Sequence, residues 1–295
     1  MERFDQRDAE FMRHAIEIAR KGAGWVLPNP LVGAVVVRDG RIIGEGYHEK
    51  FGGAHAEVHA LRQAGAAALG ATLYVSLEPC AHHGKTPPCV EAILAAKIER
   101  VVVAMQDPNP LVAGKGIAEL RAAGVRVDAG LLETDATALN RPFIKFINEK
   151  QPFVTVKIAQ TLDGRLADRH GQSKWISSPA ARELVHRWRF EAGAVLVGIG
   201  TVLADNPRLT VRHVEGRQPY RIVLDRDLRI PLTCHLLSDE FVARTLVVTA
   251  AKAIAKEKQI AERGARVVRM PLRDRNIAVR QLLHTLAELG IAHLF

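Results

Sequence analysis

Strand-forming segments alternate with helix-patterned ones along the whole sequence, and a polar, proline-containing break falls at Asn148-Glu149-Lys150-Gln151-Pro152. Apolar residues make up 48% of the 295 positions, enough for two ordinary cores. These observations predict an α/β protein of two domains, 1–147 and 153–295. Length alone also allows one large domain; the break decides for two.

In the first half, Phe11, Ala15, Ile18 and Ala19 share one face of a helix over residues 5–21, and Gly22 stops it. Valine-rich residues 31–38, the turn signal Asp39-Gly40 and residues 41–46 predict an antiparallel strand pair. Residues 55–64 read as a helix ended by Gly65, which puts His55 and Glu57 in its first turn. A strand over 72–77 delivers Glu78-Pro79-Cys80, and Pro87-Pro88 suits a helix start at Cys89. A strand at 100–104, a helix at 115–123, a strand at 125–129 and a helix over 134–148 interrupted near Pro142 complete a sheet with helices on both faces. The second half resumes with a strand at 153–159, a helix at 179–190, and strands at 194–197, 221–224 and 245–249. A helix at 251–263, a strand at 266–270 and a helix at 277–289 follow, with no internal repeat or low-complexity tract.

A net charge of +9 and a pI near 9.7 give a field that attracts anions, favouring a phosphorylated substrate or nucleic acid. Aromatic residues are only 5% and no long basic block occurs, which disfavours nucleic acid. Three cysteines provide no disulfide framework and suit a reducing compartment; Cys234 reads as a small buried apolar residue. The N-terminus carries Glu2, Arg3, Asp5, Arg7 and Asp8 instead of an apolar signal core. The longest apolar run, around 194–204, is glycine-broken and too short for a bilayer. A cytoplasmic protein with no membrane partner is therefore expected, with homo-oligomerisation left open.

His55-Ala56-Glu57, Cys80 and Cys89 form the chemical centre of the sequence. One imidazole and two thiolates suit tetrahedral zinc and leave a fourth position for water. Glu57, two residues from His55, is placed to take a proton from that water and hand it to a departing amine. Zinc nucleobase deaminases carry this pattern with two residues between the cysteines; here eight separate Cys80 from Cys89. A structural zinc site would need a fourth protein ligand, and His48, His59, His82 and His83 are candidates. His59, one helical turn after His55, reads more simply as a satisfied interior residue.

The run Pro79-Cys80-Ala81-His82-His83-Gly84-Lys85-Thr86-Pro87-Pro88-Cys89, with His55-Ala56-Glu57 upstream, is similar to the deaminase half of the bifunctional riboflavin-biosynthesis deaminase/reductase family. Pro28-Asn29-Pro30-Leu31-Val32-Gly33, Gly44-Glu45-Gly46-Tyr47-His48 and Asp107-Pro108-Asn109-Pro110-Leu111-Val112-Ala113-Gly114 fit the same family. From Val154 the sequence resembles that family's reductase domain, in Lys157-Ile158-Ala159-Gln160-Thr161-Leu162-Asp163-Gly164, Ser173-Lys174-Trp175-Ile176-Ser177 and the stretch from Val197 to Thr210. Taken alone, Gly198-x-Gly200 in that stretch is a weak phosphate-binding signal.

The resemblance implies a cytidine-deaminase-like three-layer αβα sandwich followed by a dihydrofolate-reductase-like α/β domain that uses NADPH. It implies zinc on His55, Cys80 and Cys89, and Glu57 as proton carrier in hydrolytic deamination of a diaminohydroxyphosphoribosylaminopyrimidine. Reduction of the ribosyl side chain to ribityl follows in the second domain. Asn29, His48, His82 and Lys85 are then substrate contacts, Ala159, Trp175, Thr201 and Asp205 line the nicotinamide cofactor, and Ser173, Arg189, Leu209 and Arg212 hold the ribose phosphate. The two arginines can clamp a phosphate and the tryptophan can cover a ring; Ala159 and Leu209 are equally explained by core packing. Arg226 stands where the family pattern leads one to expect a small hydroxyl residue. The sequence ends at Phe295, where the resemblance implies a further glutamate and glycine-rich segment; the expectation is an incomplete reductase half that binds NADPH poorly or not at all. The alternatives are a nucleic-acid-editing zinc deaminase and a non-catalytic zinc-stabilised binding module.

Overall fold

The first helix, α1 (Gln6–Ala19), starts where the sequence offers a reciprocal cap. The Asp5 carboxylate accepts from the Asp8 backbone N–H at 2.7 Å, and the Asp8 carboxylate accepts from that of Asp5 at 3.2 Å. Two donors that the helix itself leaves unpaired are thereby satisfied. The structure, a computed structural model, describes residues 4–84, 86–110, 112–173, 176–274 and 276–295. The chain divides into two units, Met1–Lys150 and Gln151–Phe295, with the division inside the polar break.

In the first unit α1 is followed by β1 (Gly33–Arg38), β2 (Arg41–Tyr47), α2 (Ala56–Ala64), β3 (Thr72–Leu77), α3 (Cys89–Ala95) and β4 (Arg100–Met105). Then come α4 (Lys115–Ala122), β5 (Arg126–Ala129), α5 (Glu133–Leu139) and α6 (Arg141–Glu149). The sheet order is β2-β1-β3-β4-β5, with β1 antiparallel to both neighbours and β3, β4 and β5 parallel. Asp39 and Gly40 both take positive φ (51° and 70°), the turn that matches the twist of a two-residue hairpin. Side chains alternate across the sheet. Val36, Leu73, Val75, Val101 and Val103 pack with Ala60, Val90, Ile93 and Leu120, while Val35, Tyr74, Val102 and Ala104 pack with Met12, Ala15, Ile16 and Ala136. That is the three-layer sandwich implied by the resemblance. The helix expected over 134–148 is two helices meeting at Asn140.

α2 lies unusually close to β2 because Gly46 has no side chain. A Cβ there would stand 2.6 Å from the Ala56 carbonyl oxygen and 2.5 Å from His59 Cβ. Since α2 carries the His55-Ala56-Glu57 segment at its start, this approach sets the depth of the site.

The second unit contains β6 (Phe153–Val154), α7 (Pro179–Ala192), β7 (Ala194–Gly198), α8 (Ile199–Asp205), β8 (Tyr220–Leu224), α9 (His235–Ser238) and β9 (Thr245–Thr249). It continues with α10 (Ile254–Glu262), β10 (Arg266–Arg269), the short pair β11 (Leu272–Arg273) and β12 (Asn276–Ile277), α11 (Val279–Glu288) and β13 (His293–Leu294). A parallel sheet runs β10-β9-β8-β7, and β13 lies parallel to β6. The last residue joins the two: Phe295 N–H donates to the Ala194 carbonyl at 3.0 Å, and its carbonyl accepts from Leu196 at 2.8 Å.

Three expectations are corrected here. The strand expected over 153–159 ends at Val154, because after Thr155 N–H bonds to the Leu294 carbonyl (2.8 Å) the backbone turns outward and Val156 and Ile158 are exposed. Residues 199–205, read only as a glycine-containing motif, form α8. The helix expected from 251 starts at Ile254, since the N–H groups of Ala250 and Ala251 go to the Arg226 carbonyl (3.0 and 3.1 Å) and hold them in a turn.

A buried ion network ties α1 to the sheet. Asp8 Oδ1 accepts from Tyr74 Oη (2.6 Å) and Arg100 Nη1 (2.8 Å), and Arg100 Nε donates to Asp128 Oδ2 (2.9 Å). Burial alone pushes the Asp8 carboxyl up, but the bonds from Arg100 and Tyr74 outweigh it and hold it below its ordinary value. A folded-state pKa below the unfolded one adds stability that is complete above about pH 4 and is lost as pH falls through the folded-state value. Urea-unfolding midpoints measured from pH 6 down to pH 3 should therefore fall more steeply for the parent protein than for Asp8→Asn; parallel curves would contradict this.

Candidate metal centre

Three element ends converge. His55 is the extended residue that caps α2 (φ −79°, ψ 165°), Cys80 lies three residues beyond the end of β3, and Cys89 opens α3 behind Pro88. His55 Nδ1 is 3.2 Å from Cys89 Sγ and 3.5 Å from Cys80 Sγ, and Cys89 N–H donates to Cys80 Sγ at 3.4 Å. A tetrahedral ion with bonds of about 2.0–2.3 Å spans such separations, so the donor set fits zinc in chemistry and spacing. The bond from Cys89 draws the Cys80 thiol down to about 4, and the same bond together with burial pushes Cys89 up. Of the two sulfurs, Cys80 is thus the readier to ionise, and metal binding at such a pair releases protons. His55 is raised, chiefly by its bond to Cys80.

Among the described residues, His55, Cys80 and Cys89 form the one group of His, Cys, Asp and Glu side chains close enough to hold a metal. None of the four histidines considered as a further ligand joins them. His48 Nδ1 donates to the Ala54 carbonyl (3.1 Å), which leaves Nε2 to accept from Asn29 Nδ2 (3.4 Å); burial lowers its pKa and keeps it neutral. His59 lines a separate depression with Tyr47 and Gln63, exposed His83 faces Glu91 at 3.7 Å, and His82 is also exposed.

Glu57 is 3% exposed, and its Oε2 has no hydrogen-bond partner among the described residues. Burial pushes its carboxyl above the ordinary value, while His55 pulls the other way. A buried oxygen without a partner is costly in a native protein, and here it is explained by chemistry that brings a partner in. Glu57, His55 and Cys80 line a cavity of about 330 Å³ together with the expected contacts Asn29, His48 and His82. Lys85 lies outside the described residues. The sequence reading gave no role to Asp107, Asn109, Phe51 or Phe143, which also line this cavity. It missed Asn140 as well, whose side chain accepts from Leu31 N–H (2.8 Å) and donates to the Leu31 carbonyl (3.0 Å), fixing the loop that carries Asn29.

In the second unit a cavity of about 540 Å³ collects six expected residues, Ala159, Ser173, Arg189, Thr201, Asp205 and Arg212. Lys157, Arg182, His186 and His213 add to its walls, so cations dominate it. Arg189 Nη1 donates to the Thr210 carbonyl (3.3 Å), but its buried Nε has no partner among the described residues. Burial, then Arg212, lowers its pKa to about 10. His186 accepts from Arg212 N–H at 3.1 Å and is lowered to about 4, by burial and then by the two arginines. A buried donor with no partner among the described residues, in a cavity lined by more cationic side chains than carboxylates, fits a phosphate. Leu209 does not line this cavity; it is 4% exposed and packs in the core with Val202 and Val223. Trp175 lies outside the described residues, and exposed Arg226 pairs with Asp227 at 2.9 Å away from the cavity wall.

Residues 5–105 match the family model described as the cytidine and deoxycytidylate deaminase zinc-binding region, and residues 152–295 that of the RibD C-terminal domain. The expected reductase domain is thus present in residues 152–295. The riboflavin biosynthesis protein RibD of Aquifex aeolicus is 49% identical over 288 residues, 97% of this chain and 79% of that protein. A structure of Acinetobacter baumannii RibD matches with a TM-score of 0.87 at 44% identity, covering 98% of this chain and 80% of that one. A diaminohydroxyphosphoribosylaminopyrimidine deaminase/5-amino-6-(5-phosphoribosylamino)uracil reductase from Thermotoga maritima matches with a TM-score of 0.85, at 44% identity over 98% of this chain and 80% of that one. With a deaminase zinc region and a reductase domain in succession, and relatives this similar along nearly its whole length, the chain belongs to the RibD family of bifunctional riboflavin-biosynthesis deaminase/reductases.

Proposed function

We propose that the first-unit cavity hydrolyses the amino group of a diaminohydroxyphosphoribosylaminopyrimidine. His55, Cys80 and Cys89 hold zinc there, Glu57 carries protons, and domains 1–147 and 153–295 divide deamination from reduction. The observation that carries this reading is the unpartnered buried oxygen of Glu57 in a cavity shared with His55 and Cys80. Zinc at such a centre supplies the positive charge that acidifies water toward neutral pH. Glu57, raised by burial, accepts a proton from the attacking water and returns it to the amino nitrogen. A carbon–oxygen bond forms as the carbon–nitrogen bond breaks, ammonia leaves, and no oxidation state changes. Neutral His48 and Asn29, hydrogen-bonded to each other, present a fixed polar edge to the ring. Three protein donors instead of four among the described residues speak against a purely structural zinc module.

In the second unit, Ser173, Arg189 and Arg212 suit the ribose phosphate, and Ala159, Thr201 and Asp205 suit the nicotinamide cofactor. NADPH supplies the hydride when bound; the protein's part is to hold the phosphate and orient the opened sugar. Leu209 and Trp175 stay in the proposal as carried over from the resemblance, Leu209 through its backbone alone. No described helix is long and apolar enough to cross a membrane, and we place the enzyme in the cytoplasm.

Glu57→Gln should keep one zinc per chain by elemental analysis, yet lose deaminase kcat by a factor of about 10²–10⁴. Retained activity in that variant would remove Glu57 from the chemistry. Arg189→Ala and Arg212→Ala should each raise KM in the NADPH-consumption assay by about tenfold or more with the phosphorylated substrate, and much less with its dephosphorylated form. Equal losses with both forms would exclude a phosphate contact.

A further inference from the structure

Glu78 ends the polypeptide run that β3 delivers to the site, two residues before Cys80, and is 4% exposed. Its carboxylate is surrounded by backbone donors from one distant segment. Oε2 accepts from the N–H groups of Asp107 (3.1 Å) and Gly114 (2.9 Å), and Oε1 from those of Gly116 (3.0 Å) and Ile117 (3.2 Å). Hydrogen bonds to an ionised acceptor are stronger than neutral ones, and four on one side chain hold a loop in one conformation. Gly116 shows how closely the segment is drawn in, since a Cβ there would stand 1.9 Å from the Pro79 carbonyl oxygen.

The segment so held carries Asp107, Asn109 and Val112, all of which line the cavity that contains Glu57. Asn109 N–H in turn donates to Asp107 Oδ1 at 2.8 Å, so the first anchored residue orders the next. We infer that Glu78 is a positioning residue for deamination: it fixes residues 107–110 and 112–117 so that one wall of the substrate cavity keeps its shape. The backbone geometry predicts an effect on substrate binding that is separable from zinc binding, because neither Glu78 oxygen is among the metal donors.

This inference rests on the deaminase reading of the cavity. Turnover by the parent protein tests that reading, and the kinetics of a Glu78 variant test this one. Glu78→Gln keeps the size of the side chain but turns an NH₂ group toward two N–H donors. Tyr74→Phe is the stability control, because it loses a buried bond to Asp8 on the α1 face of the sheet, away from the cavity. With zinc-loaded full-length protein, Glu78→Gln should retain one zinc per chain and raise deaminase KM by about tenfold or more at nearly unchanged kcat, whereas Tyr74→Phe leaves KM alone. An unchanged KM, a loss that only tracks zinc content, or the same KM rise in Tyr74→Phe would overturn the assignment. If Glu78→Gln does not fold, amide hydrogen exchange on the unsubstituted protein decides. Strong protection at Asp107, Gly114, Gly116 and Ile117 supports the anchor, and free exchange at Asp107 and Gly114 overturns it.

Discussion

An imidazole nitrogen lies 3.2 and 3.5 Å from two cysteine sulfurs, all three atoms within 4.8 Å of one another, and much of the first unit serves to hold them there. Each donor sits at the end of a different element, and the two at helix starts, His55 and Cys89, meet unpaired N–H groups that favour negative charge. His55 caps α2, Cys89 opens α3, and Cys80 follows β3 in the middle of the sheet. The elements themselves are fixed by two apolar layers and by the close approach of α2 to β2 at Gly46. Two thiols and an imidazole brought this close together suit a divalent cation.

The two cavities differ in electrostatic character in the way their tasks require. The first combines Glu57 and Asp107, both raised by burial, with a neutral His48, a setting for moving protons. The second gathers Lys157, Arg182, Arg189 and Arg212 around one carboxylate, Asp205. Part of the +9 charge, read from composition as favouring a phosphorylated substrate, is thus concentrated in the cavity proposed to hold a phosphate.

The proposed metal donors were legible because their chemistry constrains residue type and because they lie on strongly patterned elements. Residues 72–77, for example, form a strand with the predicted bounds. What stayed hidden is of another kind. Glu78 and Asn140 act by binding backbone groups far away in sequence, and a buried polar side chain doing so leaves no periodic trace. Asp107 and Asn109 lay inside a quoted motif, but nothing in their spacing says that they face the cavity. In the second unit, the apolar alternation of 153–159 reads as a strand although, among the described residues, the strand pairing with β13 covers Phe153 and Val154 and the last bond to it comes from Thr155. Strand propensity there is a property of the side chains, and pairing depends on a partner that local sequence does not reveal.

Zinc-edge X-ray absorption on the purified protein tests the central claim most directly. Coordination by two sulfurs, one imidazole nitrogen and one light atom not supplied by the protein is the predicted result. Four protein ligands, or a protein that takes up no zinc, would contradict it.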